Sequence, residues 1–147
     1  MVKVLVSKTG ARLVIASDDH CPPHVHARHR EEGWVVRLWF SFASNAAGVL
    51  DIAPTDAAVR QRQLNQMLDE VAANVNACRK IWWEGKTTTC LENKWLERAG
   101  PQEMTLLDRR QTGARQVRAA RYDVQTCKTF LIFLDGTEDS IESGDAK

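Results

Sequence analysis

The chain has 147 residues, of which 44% are hydrophobic and 27% are charged. This composition is typical of a globular domain and excludes a disordered or fibrous chain. The net charge of +1 provides no global attraction to nucleic acid or membrane. The opening "MVKVLVSKTG" lacks the apolar region of a signal peptide, and no apolar run reaches the roughly 18 residues of a membrane span.

The four cysteines are scattered and form no CxxC pair. An even number of cysteines allows disulfides, but these persist mainly in secreted proteins. Because the chain shows no secretory signal, we expect a cytoplasmic protein in which Cys21, Cys78, Cys90 and Cys127 are all reduced.

The first third of the chain has the pattern of β-strands. "VKVLV" and "RLVIA" are short β-branched runs separated by a turn, which predicts an N-terminal hairpin. "WVVRLWFSF" alternates strictly, so that Trp34, Val36, Leu38, Phe40 and Phe42 share one face. The following "VLDIAP" is predicted to return as a partner strand.

A long helix is predicted next. Thr55 is the expected N-cap, and an apolar stripe with helical spacing follows it. Its members are Leu64, Leu68, Val71, Val75, Cys78 and Trp82. Gly85 ends the helix, which is expected to cover one face of the sheet.

The remaining residues predict a short helix over "LENKWLERA" and then a hairpin of "ARQVRAARYDV" and "KTFLIFL". The predicted fold class is therefore α+β, with a small antiparallel sheet packed against one long helix. We expect a sheet-plus-helix domain over 1–85, a small appendage over 86–136 and a flexible acidic tail over 137–147.

All four histidines lie in one segment, "DDHCPPHVHARH" at 18–29. Two consecutive prolines favour an extended backbone here. Because side chains alternate along a strand, His24, His26 and Arg28 are predicted to share one face, facing a cleft or solvent. The apolar Val25 and Ala27 would face the core, and His29 is expected beyond the buried part of the strand.

Three interpretations of this segment remain open. In the first, the H-x-H pair binds a metal such as zinc, and Asp19, His20 or Cys21 completes the ligand set. In the second, His24, His26 and Arg28 bind a phosphate and transfer protons near neutral pH, as catalytic groups. In the third, the histidines only stabilise the loop or contact a partner.

The segment "DHCPPHVHARHREEGWVVRLWF", followed by "GVLDIAP" and the helix, resembles a small bacterial family known as domain of unknown function 4160. The resemblance covers about residues 10–84, and its hallmark is Asp-His-x-Pro-Pro-His-x-His. The matching positions are Asp19, His20, Pro22, Pro23, His24 and His26. The match adds His20 to the candidate site, and His20, His24 and His26 become the expected metal ligands.

Members of this family are often encoded beside a second small protein, in arrangements that resemble toxin–antitoxin pairs. "TFLIFLDGTEDSI" is similar to the strand and Asp-Gly pattern of the companion domain. The resemblance implies a component of a bacterial or phage toxin–antitoxin-like or host-conflict system, such as an RNA-directed toxin. Its partner would be a cognate toxin, an antitoxin or a host complex. The alternatives are a non-enzymatic binding module and a small zinc-binding protein.

Two further features are candidates for partner or nucleic-acid binding. The stretch 109–121 contains five arginines and no carboxylate, and either forms a phosphate-binding patch or pairs with the acidic C-terminal segment. These residues are Arg109, Arg110, Arg115, Arg118 and Arg121, and strand alternation would place Arg115 and Arg121 on one face. Trp82 continues the core stripe, whereas Trp83 lies off it and is the better interface candidate.

Overall fold

The chain forms two five-stranded antiparallel sheets and a pair of helices, seen in a computed structural model that describes residues 1–145. This confirms the predicted α+β class. The first sheet contains β1 Val2–Val6, β2 Arg12–Ile15, β3 His24–His29, β4 Trp34–Trp39 and β5 Gly48–Ala53. The helices are α1 Gln61–Ala73 and α2 Val75–Lys86. The second sheet contains β6 Trp95–Gly100, β7 Glu103–Leu107, β8 Arg115–Asp123, β9 Lys128–Phe133 and β10 Glu138–Ile141. Neither helix is long and apolar enough to cross a membrane.

The first sheet follows chain order from β1 to β5, with every neighbouring pair antiparallel. The predicted N-terminal hairpin and the return strand after β4 are both confirmed. The alternating face of β4 is the core face, where Trp34, Val36 and Leu38 are at most 1% exposed. The opposite face of the same sheet is therefore the one that carries polar groups.

The predicted single helix is interrupted at Asn74, which separates α1 from α2. The Asn74 side chain donates a hydrogen bond to the Glu70 carbonyl, 2.8 Å away. A side chain that bonds a preceding carbonyl competes with the regular backbone ladder of the helix. The predicted N-cap at Thr55 was also wrong. The helix begins at Gln61, where the Gln63 side chain accepts the Arg60 backbone N–H at 3.0 Å.

The buried stripe of the helices differs from the prediction at its start. Met67, Val71, Val75, Cys78 and Trp82 are at most 2% exposed. Leu64 and Leu68 are only half-buried at the margin of the core. The helix begins five residues later than predicted, and in its first turn Gln63 is buried in place of Leu64.

The second sheet has the order β10–β9–β8–β6–β7. The predicted β8–β9 hairpin is confirmed, but the predicted short helix at 91–99 was wrong. Residues 95–99 of this segment belong to β6, which pairs with both β7 and β8. Hydrogen bonding to two neighbouring strands outweighs the weak intrinsic helix preference of so short a segment.

The predicted flexible tail at 137–147 contains a strand. Glu138–Ile141 form β10 against β9, and Ile141 is 2% exposed. Ala146 and Lys147 of this predicted tail lie outside the described residues. The two sheets contribute to one core, in which the Phe42 and Tyr122 rings lie 5.1 Å apart. A boundary near residue 85 stays a prediction, but the segment after it is a full sheet.

Cys21 and Cys90 form a disulfide, with their Cα atoms 5.7 Å apart. The prediction that all four cysteines are reduced was therefore wrong. The two residues are 69 positions apart, and only the folded path of the chain brings them together. Cys78 and Cys127 remain as thiols, and burial raises the pKa of the Cys78 thiol to about 12.

We expect thiol titration to reproduce this pairing. The native protein should expose only the half-buried Cys127 to a thiol reagent, because the buried Cys78 thiol stays protonated. Unfolding without reductant should reveal two thiols, and unfolding with reductant should reveal four. In the control variant Cys21→Ser/Cys90→Ser, reductant should not change the count. Four thiols in the unreduced wild-type chain would contradict the pairing.

Candidate metal centre

Strand β3 places two histidines side by side on the face of the sheet opposite the core. His24 lies across from Trp39 and His26 across from Arg37, and the two imidazole rings are 5.1 Å apart. Val25, between them, is fully buried on the core face, as the strand period predicts. Arg28 lies exposed one step further along the same face. The prediction left open whether His24 faces a cleft or solvent; at 2% exposure it lies in a covered site.

Asp19 brings a carboxylate to both histidines. It follows β2 in a tight turn, in which the Ala16 backbone N–H donates to Asp19 Oδ2 at 3.0 Å. Asp19 Oδ1 lies 3.6 Å from His24 Nε2, and Asp19 Oδ2 lies 3.6 Å from His26 Nδ1. One ligand atom from each of the three residues lies within 4.8 Å of the other two.

In the neutral tautomer of His24, the lone pair of Nε2 points toward the Asp19 carboxylate. Its Nδ1–H donates to the Pro22 carbonyl at 2.8 Å, so Nε2 carries no proton in the neutral ring. His24 Nε2 and His26 Nδ1 are both buried and have no hydrogen-bond partner among residues 1–145. Buried ring nitrogens that lack a hydrogen-bond partner are unfavourable. A cation between them would satisfy all three groups.

Burial keeps His26 in its ligand form. Desolvation lowers the pKa of His26 below its usual value, and the neighbouring His24, Arg28 and Arg37 act in the same direction. Asp19 opposes this effect, but the net direction is downward. The imidazole is thus neutral at neutral pH, which is the state that binds a metal.

The separations of these ligand atoms suit a small divalent cation. Tetrahedral bonds of about 2.0–2.2 Å place neighbouring ligand atoms about 3.3–3.6 Å apart. The 3.6 Å separation between Asp19 Oδ1 and His24 Nε2 lies at the upper end of that range, and one ligand atom from each of the three residues lies within 4.8 Å of the other two. Two imidazoles and one carboxylate are a donor set that suits Zn²⁺ and Fe²⁺. The hydrogen bond from His24 to Pro22 matches the backbone support that metal-binding histidines usually receive.

A pocket of about 450 Å³ opens beside the centre. It is lined by Asp18, Asp19, His20, Cys21, Pro22, His24, Arg37 and Leu50. His20 is exposed on its wall and does not belong to the three-residue cluster, so Asp19 takes the place predicted for His20. Cys21 is held in the disulfide and has no thiolate to offer.

Comparison with known proteins found no matching family model, no similar curated protein and no similar solved structure. The candidate metal centre therefore rests on the geometry of this chain alone. The resemblance to the bacterial family stays a prediction.

His29 has a structural role and does not join the centre. It is 8% exposed, and its Nε2–H donates to the Thr9 carbonyl at 3.0 Å. Its Nδ1 accepts the Glu32 backbone N–H at 3.0 Å. The expectation that His29 lies beyond the buried part of the strand was wrong, because the N-terminal hairpin covers it.

The predicted C-terminal arginine patch is divided. Arg115 bonds to Asp139 and stacks on Phe133, whereas Arg121 stacks on Phe130. Phe130 and Phe133 point to opposite faces of β9, so Arg115 and Arg121 do not share a face as predicted. The cause is an irregularity of β8 between Val117 and Ala119, which adds one residue to the strand.

The other members of this predicted set are not gathered into a site. Arg109 and Arg110 are exposed in the loop before β8, and Arg118 is exposed at the irregularity. Trp83 is half-buried and packs against the core. Their roles in partner or nucleic-acid binding stay predictions.

Proposed function

We propose that the protein binds one zinc ion through Asp19, His24 and His26 and uses it as a Lewis acid. The observation that carries this proposal is the pair of buried, unpaired imidazole nitrogens that face one carboxylate at 3.6 Å. Three protein ligands leave a fourth position for water or substrate, as in catalytic zinc sites. The pocket beside Asp19 and His24 gives that position access to solvent.

The chemistry that fits this arrangement is hydrolysis. A bound zinc ion lowers the pKa of a coordinated water to about 7 and polarises a carbonyl or phosphoryl oxygen. The protein contributes the ligand geometry, and the His24–Pro22 hydrogen bond holds one imidazole in its required tautomer. His20, on the pocket wall, is in a position to exchange protons with a bound substrate.

Metal analysis and zinc titration test this proposal. The wild-type protein is expected to bind about one equivalent of zinc, and His24→Ala is expected to bind less than about a tenth of an equivalent under the same conditions. The matched control is His20→Ala, a neighbouring exposed histidine outside the cluster, which should bind zinc like the wild type. Equal loss of zinc in both variants, or no zinc in the wild type, would overturn the proposal. If the protein binds iron in preference to zinc, the three ligands stay as proposed and only the identity of the metal changes.

We propose further that this centre serves a toxin–antitoxin-like system. The support is that all three proposed ligands belong to the Asp-His-x-Pro-Pro-His-x-His motif on which the family resemblance depends. In this proposal the protein is a metal-dependent, RNA-directed toxin that acts in the cytoplasm and is held in check by a protein partner. Because the cytosol keeps thiols reduced, cytoplasmic activity would require the centre to function without the Cys21–Cys90 disulfide.

Expression in a bacterial host separates the toxin from a binding module. Wild-type protein should arrest growth, His24→Ala should not, and a cognate partner should restore growth. Unaffected growth, together with a stable complex with the partner, would instead identify an antitoxin or inhibitor.

A further inference from the structure

The face of the first sheet that carries the metal centre also carries a row of cations. Arg12 of β2 lies directly across from Arg28 of β3, and Lys3 of β1 lies across from Val14. Val14 in turn lies across from His26. We call Lys3, Arg12 and Arg28 the basic row. Arg28 is two residues from His26, so their Cα atoms are about 7 Å apart along β3.

The charges of the basic row are not balanced by the protein. Lys3, Arg12 and Arg28 are all exposed, and within residues 1–145 none of them forms an ion pair. Arg37 on the same face differs, because it pairs with Asp51. Like charges directly opposite each other on neighbouring strands destabilise a sheet. The Arg12–Arg28 pair therefore favours an anionic ligand that lies across both strands.

The geometry points to a ligand with several phosphates: we propose that the basic row binds the phosphodiester backbone of a single-stranded nucleic acid and directs it to the metal centre. Guanidinium groups match phosphate oxygens in a two-pronged geometry. Open sheet faces that bind single strands also present aromatic rings to the bases. Here the half-buried Trp39 lies across from His24 on the same face. This inference rests on the proposed zinc site, and it names the surface that would hold the substrate of that site.

The C-terminal arginines are less suited to this role. Arg115 is engaged by Asp139, and its guanidinium lies 3.9 Å from the Phe133 ring centroid. Arg109 and Arg110 are exposed, but they lie in a loop and not in the strands around the metal centre. They carry the same number of charges as Arg12 and Arg28, which makes them a matched control.

Binding to labelled oligonucleotides tests the inference separately from metal binding. The protein is first stripped of metal by a chelator, and the affinity for a single-stranded RNA and for a DNA of the same sequence is measured by fluorescence anisotropy over a range of salt concentrations. Arg12→Gln/Arg28→Gln is expected to weaken RNA binding at least about tenfold at low salt. It should also reduce the slope of log K against log salt by about 1.4, since each lost phosphate contact contributes about 0.7. Arg109→Gln/Arg110→Gln should stay within about twofold of the wild type.

The variants also report on the fold. Arg12→Gln/Arg28→Gln should melt at the same temperature as the wild type or higher, because it removes a repulsion between neighbouring strands. Tighter binding of RNA than of DNA would assign the substrate as RNA, and equal binding would assign single-stranded nucleic acid in general. Both results support the inference.

Three outcomes would overturn the proposal that the basic row binds single-stranded nucleic acid. The first is that the control pair loses as much affinity as the basic-row pair. The second is that polyglutamate of similar length competes as well as RNA does, which would indicate an acidic protein ligand. The third is that the wild type does not bind nucleic acid at low salt. Asp19→Asn separates this inference from the zinc proposal, because it should lose zinc and still bind RNA under metal-free conditions.

Discussion

Replacing Asp19 by asparagine is expected to abolish zinc binding while leaving the metal-free protein at least as stable as the wild type. The zinc affinity should fall by more than about 100-fold, since even residues that only support a ligand contribute 10- to 100-fold. In the metal-free protein, the Asp19 carboxylate faces two buried imidazole nitrogens with which it forms no hydrogen bond. An asparagine amide can donate to His24 Nε2 and still accept the Ala16 N–H. Zinc titration and urea unfolding in a chelator measure the two effects.

The matched control for this change is Asp18→Asn, which removes an exposed neighbouring carboxylate outside the cluster. It should change neither the zinc affinity nor the stability beyond about 0.5 kcal/mol. If Asp19 were the partner of protonated histidines, Asp19→Asn would instead lower the free energy of unfolding by 1 kcal/mol or more. That result would contradict the metal centre.

Replacing Arg79 by methionine is expected to lower the free energy of unfolding by about 3 kcal/mol or more. Arg79 is 2% exposed, and its guanidinium donates to the carbonyls of Ser41, Ser44 and Ser143 at 2.5–2.9 Å. It thereby connects α2 to the segment after β4 and to the segment after β10. Methionine fills much of the same volume but leaves these carbonyls without their donor, and each unsatisfied buried group costs about 1–3 kcal/mol.

Urea unfolding of Arg79→Met and of Arg118→Met measures this effect. Arg118 is exposed on β8, and its replacement should change stability by less than about 0.5 kcal/mol. Arg79→Lys keeps the charge but loses the fork of donors, so it should fall between the wild type and Arg79→Met. A loss below about 1 kcal/mol in Arg79→Met would show that water replaces the guanidinium at little cost.

The spacing of hydrophobic residues along the chain predicted those strands and helices that bury one face. The alternation at Trp34, Val36 and Leu38 predicted β4 and its core face, and the apolar stripe predicted the helical region through Trp82. The short segment 91–99 was not predictable in the same way. Residues 95–99 form a strand because β7 and β8 pair with them, and such pairing depends on distant parts of the chain.

Only part of the candidate site was predictable, because the rest depends on how the loop before β3 folds and on contacts between distant residues. The strand period placed His24 and His26 together, but it gives no information about the loop before them. Asp19 and His20 are adjacent in sequence, and only the turn after β2 decides that Asp19 points inward. The Cys21–Cys90 disulfide and the Arg12–Arg28 pair also depend on contacts between distant residues, the second through the β2–β3 register.

The position of the metal itself tests the central claim most directly. Crystals of the protein grown with one equivalent of zinc should give an anomalous difference peak at the zinc edge. We expect that peak within about 2.0–2.2 Å of His24 Nε2, His26 Nδ1 and an Asp19 carboxylate oxygen. A peak bound to His20 or to surface carboxylates, with Asp19, His24 and His26 free of metal, would contradict the account.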